Sequence, residues 1–145
     1  MLIAKGNIWT YLGKYPICIT TNAVIKMNGE AVMGAGIALE AAKRYPSLPR
    51  WLAKRLADGN HVYLFYTPEG YELVTFPTKY DWKSSSTTRI IKRSAKELVA
   101  LADENQWEKV LVPRPGCGKG NLTWEEVRPV IEPLFDNRFI VVNND

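Results

Sequence analysis

Histidine and cysteine are scarce in this chain: one of the first and two of the second among 145 residues. Cys18 falls in an apolar, strand-like run and Cys117 sits between two glycines, so the pair makes neither a disulfide framework nor a four-ligand metal site. No metal and no cofactor are expected. Long apolar runs are also missing. No window approaches the roughly 20 residues that span a bilayer, and Met1-Leu2-Ile3-Ala4-Lys5-Gly6 lacks the apolar centre of a signal peptide. A cytoplasmic protein with no membrane partner is the expectation. Repeats, linkers and low-complexity tracts are absent, so residues 1–145 read as one domain, taken to be a monomer.

What is present is ordinary for a globular protein, with 46% hydrophobic and 23% charged residues. The net charge of +4 is mild but uneven: Lys79, Lys83, Arg89, Lys92, Arg93 and Lys96 face Asp81 alone between residues 79 and 96. Such a run attracts anions, whether a nucleotide phosphate or a nucleic-acid backbone carrying the substrate, or it is a solvated helix face.

Short strand-like pieces cover Met1–Lys5 and Ile8–Leu12, and Ile17–Thr20 reads as a strand covered on both faces. A helix opens at Gly34-Ala35-Gly36 and stops before Pro46; a second runs from about Ser47 to Asp58-Gly59. His61–Tyr66 and Tyr71–Phe76, parted by Thr67-Pro68-Glu69-Gly70, have the form of a hairpin. The loop 77–83 and the hydroxyl-rich Ser84–Thr88 lead to a long helix whose Ile91, Ala95, Leu98 and Ala102 make one stripe. Lys109–Val112 is a strand, Thr123 with Glu126 a capping box, and Phe139–Val142 a last strand. The order predicts an α/β structure with helices on both faces of a mixed sheet.

Two strand-to-helix junctions are glycine-rich, at 22–37 and 113–123. Glycine lets a ligand approach the backbone, and the free N–H groups at a helix start favour an anion. Side by side, the two loops would form one cleft beyond the carboxyl ends of the strands, with N–H groups from Gly116 to Gly120 cradling phosphate. Neither loop fits a standard nucleotide motif. No Ser or Thr follows Lys119 to hold magnesium, and Leu39 or Glu40 stands where a third dinucleotide-binding glycine belongs.

Lys5-Gly6-Asn7-Ile8, the strand ending in Asn22, Val32-Met33-Gly34-Ala35-Gly36-Ile37-Ala38, Thr78-Lys79, and Val112-Pro113-Arg114-Pro115-Gly116-Cys117-Gly118 through Leu122-Thr123-Trp124 occur in one order along the chain. In that order they resemble the macro domains, in particular the subgroup of terminal ADP-ribose protein glycohydrolase and bacterial DNA ADP-ribosyl glycohydrolase antitoxins, and also small phage-encoded macro domains. The resemblance implies a three-layer α/β/α fold with a central mixed β-sheet, and ADP-ribose or an ADP-ribosylated macromolecule as partner.

It further implies roles. Asn7 stands where an aspartate binds the adenine amino group, a change that removes charge assistance worth about 1 kcal/mol, while the N–H of Ile8 reaches the ring. Asn22 matches a contact to the distal ribose. Met33, Gly34, Ala35, Gly36 and Ile37 would wrap that ribose and the proximal phosphates, and Pro115, Gly116, Cys117, Gly118, Lys119, Gly120 and Asn121 would close over the diphosphate. Lys79, following Thr78, would attack the anomeric carbon of the distal ribose or assist ring opening, which requires an uncharged amine favoured by burial or by cations such as Lys83. Gly120 replaces the aspartate that resolves the covalent intermediate in the human relative, which leaves no firm general acid or base; Asp81 and Glu30 are the nearest candidates by sequence for that role, each read as a surface group. A hydrolase removing ADP-ribose from a DNA base or an acidic side chain is the leading expectation. A non-catalytic ADP-ribose reader, an ADP-ribose 1″-phosphate phosphatase and a plain nucleic-acid-binding domain are the alternatives.

Overall fold

Residue alternation along the strands decides the layers. In the computed structural model, which describes residues 1–81 and 86–143, Ile17 and Ile19 of β2 (Ile17–Thr21) point into one apolar cluster and Cys18 between them into another. Leu73 against Val74 and Phe76 in β4 (Glu72–Pro77), and Leu111 against Val110 and Val112 in β5 (Val110–Pro113), divide the same way. Strands buried on both faces read as unbroken apolar runs, and these do.

One face is covered by α1 (Gly36–Arg44) and α2 (Leu48–Leu56), whose Ala41, Leu48 and Leu52 are fully or almost fully buried. The other is covered by α3 (Thr88–Asn105) and α4 (Trp124–Ile131). The stripe Ile91, Ala95, Leu98 and Ala102 is wholly buried, as its spacing requires. Thr87 caps α3 through Ile90, and Thr123 and Glu126 complete both halves of the capping box of α4. The result is a three-layer α/β/α sandwich.

With β1 (Leu2–Lys5), β3 (Leu64–Tyr66) and β6 (Phe139–Asn143), the sheet order is β1-β6-β5-β2-β4-β3. All neighbours are parallel except β3, which pairs antiparallel with β4 at the edge. Five strands therefore end on the same rim. The order turns between β5 and β2, which places the two glycine-rich loops on either side of a switch point, where open α/β sheets accept ligands.

Two expectations are corrected. Ile8–Leu12 is no strand: Ile8–Tyr11 forms a 3-10 turn, because the Asn7 side chain accepts the Trp9 N–H at 3.0 Å and caps it. The first hairpin strand is shorter than His61–Tyr66, since the Thr75 hydroxyl takes the Tyr63 N–H at 2.8 Å and regular pairing starts only at Leu64. The hairpin loop itself closes as expected, with Thr67 and Tyr71 bonded through backbone and hydroxyl. Trp82, Lys83, Ser84 and Ser85 lie outside the described residues.

Candidate functional site

A cleft of about 660 Å³ opens on the rim, within the usual range of small-molecule sites, roughly 300–1,000 Å³. Its walls bring together Gly36 and Ile37 at the start of α1 and Pro113, Cys117 and Gly118 after β5, with Ile8 and Val142 at the far end. The two glycine-rich junctions thus share one cavity. The N-cap of α1, Ala35, has no side-chain cap, so the first N–H groups of the helix are not covered by a side chain from that position.

The glycines differ in duty. A Cβ on Gly36 or Gly118 would meet nothing within 4 Å, which is the room a ligand needs. Both adopt positive φ, +57° and +72°. A Cβ on Gly116 would fall 2.7 Å from Ile91 Cδ1, and one on Gly120 would press on Ser86. Those two are buried and close the loop, Gly116 against Ile91 of α3 and Gly120 against Ser86 just before it; Gly118, Lys119 and Asn121 are its exposed part. Within the loop, Cys117, Asn121 and Leu122 spend their N–H groups on Arg114, Gly118 and Gly116 carbonyls. Pro115 is buried beneath it.

The loop after β2 is a small hairpin. Ile25 bridges Ala31, Val32 N–H bonds the Val24 carbonyl at 2.9 Å, and Met27 stands fully exposed at the tip. Asn22 organises its base: Oδ1 accepts from Val24 N–H at 2.9 Å and Nδ2 donates to the Val32 carbonyl at 3.2 Å. Met33 is 6% exposed and belongs to the core, while Gly34 and Ala35 are exposed; none of the three lines the cleft. Glu30 pairs with Lys26 and Asn28 at the hairpin, as a surface carboxylate does.

Thr78 and Lys79 leave β4 next to both loops. Thr78 N–H bonds the Thr21 carbonyl at 3.1 Å, Thr87 N–H bonds the Thr78 carbonyl at 3.1 Å, and Ser86 N–H bonds the Gly120 carbonyl at 3.0 Å. Ala23 N–H reaches the Tyr80 carbonyl at 2.8 Å. One continuous set of backbone bonds therefore links the ends of β2 and β4 to the glycine loop. Lys79 is half-buried. Buried Asn60 donates to its carbonyl at 3.2 Å, and Arg93 of α3 bonds the Asn60 carbonyl and lies 3.4 Å from the Tyr80 hydroxyl. Of the cations expected around Lys79, Arg93 is adjacent in this sense, though Glu97 sits 3.7 Å from its Nε; Lys83 lies outside the described residues.

Sequence reasoning did not single out Arg114, Glu40, Asn143 or Asn60. Arg114 lines the cleft with its guanidinium 4.8 Å from the centre of the Trp124 ring, a fixed cation beside the expected diphosphate. Glu40 follows Gly36 by one helical turn, the only hint the sequence carried. Asn60 offered none, because its role comes from tertiary packing. Cys117 also lines the cleft, but burial pushes its thiol up, with Arg114 partly offsetting, so it is a protonated wall residue at neutral pH rather than a nucleophile. Cys18 is fully buried, and both cysteines are free.

Residues 21–131 match the family model described as the Macro domain. A curated relative, the DNA ADP-ribosyl glycohydrolase of Mycobacterium tuberculosis, is 31% identical over 123 residues, which cover 79% of this chain and 35% of that protein. The bovine ADP-ribose glycohydrolase OARD1 is 25% identical over 135 residues, 92% of this chain and 88% of the relative. Among solved structures, the macrodomain of Mycobacterium tuberculosis DarG superposes with a TM-score of 0.80 at 25% identity, covering 99% of each chain. The chain spans about a third of the length of the curated DNA ADP-ribosyl glycohydrolases it matches, 35% and 37%. By sequence and by fold alike, this chain belongs to the macro domain family.

Proposed function

We propose that the chain is an ADP-ribosyl hydrolase, holding ADP-ribose in the rim cleft and using Lys79 to release it from a modified DNA base or an acidic side chain. The observation that supports this reading is the backbone stitching of Thr78 to the end of β2 and, through residues 86 and 87, to the loop at Gly120, which ties the segment carrying Thr78-Lys79 to both glycine loops, although neither residue lines the cleft itself. Names of relatives agree with it: they are a DNA ADP-ribosyl glycohydrolase and an ADP-ribose glycohydrolase.

In this mechanism the helix start at Gly36 and the amides around Gly118 hold the diphosphate, and Arg114 offsets its charge. The uncharged Lys79 amine bonds to the anomeric carbon of the distal ribose as the bond from that carbon to the base or carboxylate breaks. The leaving group departs with the proton lost by the amine. Water then hydrolyses the lysine adduct, restoring the amine and freeing ADP-ribose. Lys79→Ala should release ADP-ribose from ADP-ribosylated DNA and from glutamate-modified protein at least about 100-fold more slowly than the unaltered protein. Equal rates would remove Lys79 from the chemistry.

One observation favours a second reading, a reader that binds without turnover. Gly120 is packed against Ser86, so the aspartate of the human relative has no room at this position. Tight ADP-ribose binding with no release from any ester- or base-linked substrate would select the reader. Phosphate release from ADP-ribose 1″-phosphate would identify a phosphatase instead.

A further inference from the structure

The cleft has two chemically different ends. Backbone amides and Arg114 line one; the other is floored by Ile8 and Val142, 3% and 4% exposed. A nucleotide sugar fits such a cavity in one sense, with the diphosphate on the amides and the flat base on the apolar floor. This rests on the nucleotide-binding reading above and asks what distinguishes one base from another.

Asn7 is a weak candidate for that task. It is uncharged, and the single oxygen of its side chain already accepts the Trp9 N–H. Glu40 is better placed. It lines the cleft one helical turn beyond Gly36, and a helical side chain leans back toward the helix start, here toward the cavity. Its Oε1 accepts the Trp9 indole N–H at 3.3 Å, and Arg44 lies 4.4 Å over the same indole. The carboxylate is thus steered through Oε1 by a ring that is itself held in place.

We propose that Glu40 selects the base, its carboxylate accepting a hydrogen bond from the exocyclic amino group of adenine and so taking over the charge-assisted contact that Asn7 lacks. An ionised carboxylate only accepts, so it attracts a 6-amino edge and repels the 6-oxo edge of hypoxanthine. Its negative charge near the diphosphate is offset by Arg114 across the cleft.

Calorimetry on the full chain with ADP-ribose and with its hypoxanthine counterpart, inosine diphosphate ribose, tests this. The unaltered protein should prefer ADP-ribose by at least about tenfold, because the carboxylate attracts one base edge and repels the other. Glu40→Gln, which keeps the Trp9 contact and adds a donor, should abolish or invert the preference, and Glu40→Ala should abolish it. Full preference retained in both variants, or tighter ADP-ribose binding by Glu40→Ala with the preference intact, overturns the assignment while leaving the nucleotide site standing. Failure of the unaltered protein to bind either compound overturns both.

Discussion

Gly116 and Gly118 are two residues apart and serve different ends. Gly116, at φ +77°, has Ile91 and Leu122 side chains 2.7 and 2.9 Å from where a Cβ would sit, whereas Gly118, at φ +72°, faces open space. Gly116→Ala adds steric overlap to left-handed strain and should cost about 2–4 kcal/mol in denaturant unfolding. Gly118→Ala carries the strain alone and should cost about 1–2 kcal/mol, yet weaken ADP-ribose binding more than its stability loss explains. The reverse pattern would mean that the loop meets its ligand through Gly116. In the sequence all these glycines look alike, because spacing records a turn and not what packs against it. Glu40 was hidden for a similar reason: it is an exposed helix glutamate like many others, and only the 3-10 turn carrying Trp9 shows what its carboxylate is bonded to.

At the scale of elements, α3 does more than cover the sheet. Ser94, on its buried face, donates to the Pro77 carbonyl at 2.6 Å, the residue just before Thr78-Lys79. Thr87 at its N-cap and Arg93 fasten the same segment through Thr78 and Asn60. Ser94→Ala leaves the Pro77 carbonyl unpaired and should destabilise the protein by about 1–3 kcal/mol in chemical denaturation. A variant as stable as the unaltered chain would show that the carbonyl finds another partner. The apolar stripe of α3, both caps and the strand cores were legible because each depends on residues a few positions apart. Ile8–Tyr11 was not, since its apolar and aromatic residues suit a strand and only the Asn7 side-chain bond turns them into a 3-10 turn. The start of β3 was misplaced by the Thr75 hydroxyl, a contact twelve residues distant from Tyr63.

Taken whole, the molecule places its chemistry by strand order. Because β1, β6, β5, β2 and β4 run parallel, the residues at or just after their ends lie on one rim: Asn7 and Ile8, Asn143, Arg114 to Gly118, Asn22 to Gly36, and Thr78-Lys79. The motifs and their order could be read from the sequence, and so could the layered fold they imply. That β5 lies beside β2, which turns two distant loops into the walls of one cleft, is a property of long-range pairing. The central claim is that these loops jointly grip a diphosphate with Lys79 facing the far ribose. A crystal structure with ADP-ribose tests it most directly. Phosphate oxygens about 2.9 Å from the amide nitrogens of both Gly36 and Gly118, with the Lys79 amine beside the anomeric carbon of the distal ribose, are the expected result; a diphosphate bound away from either glycine loop would contradict it.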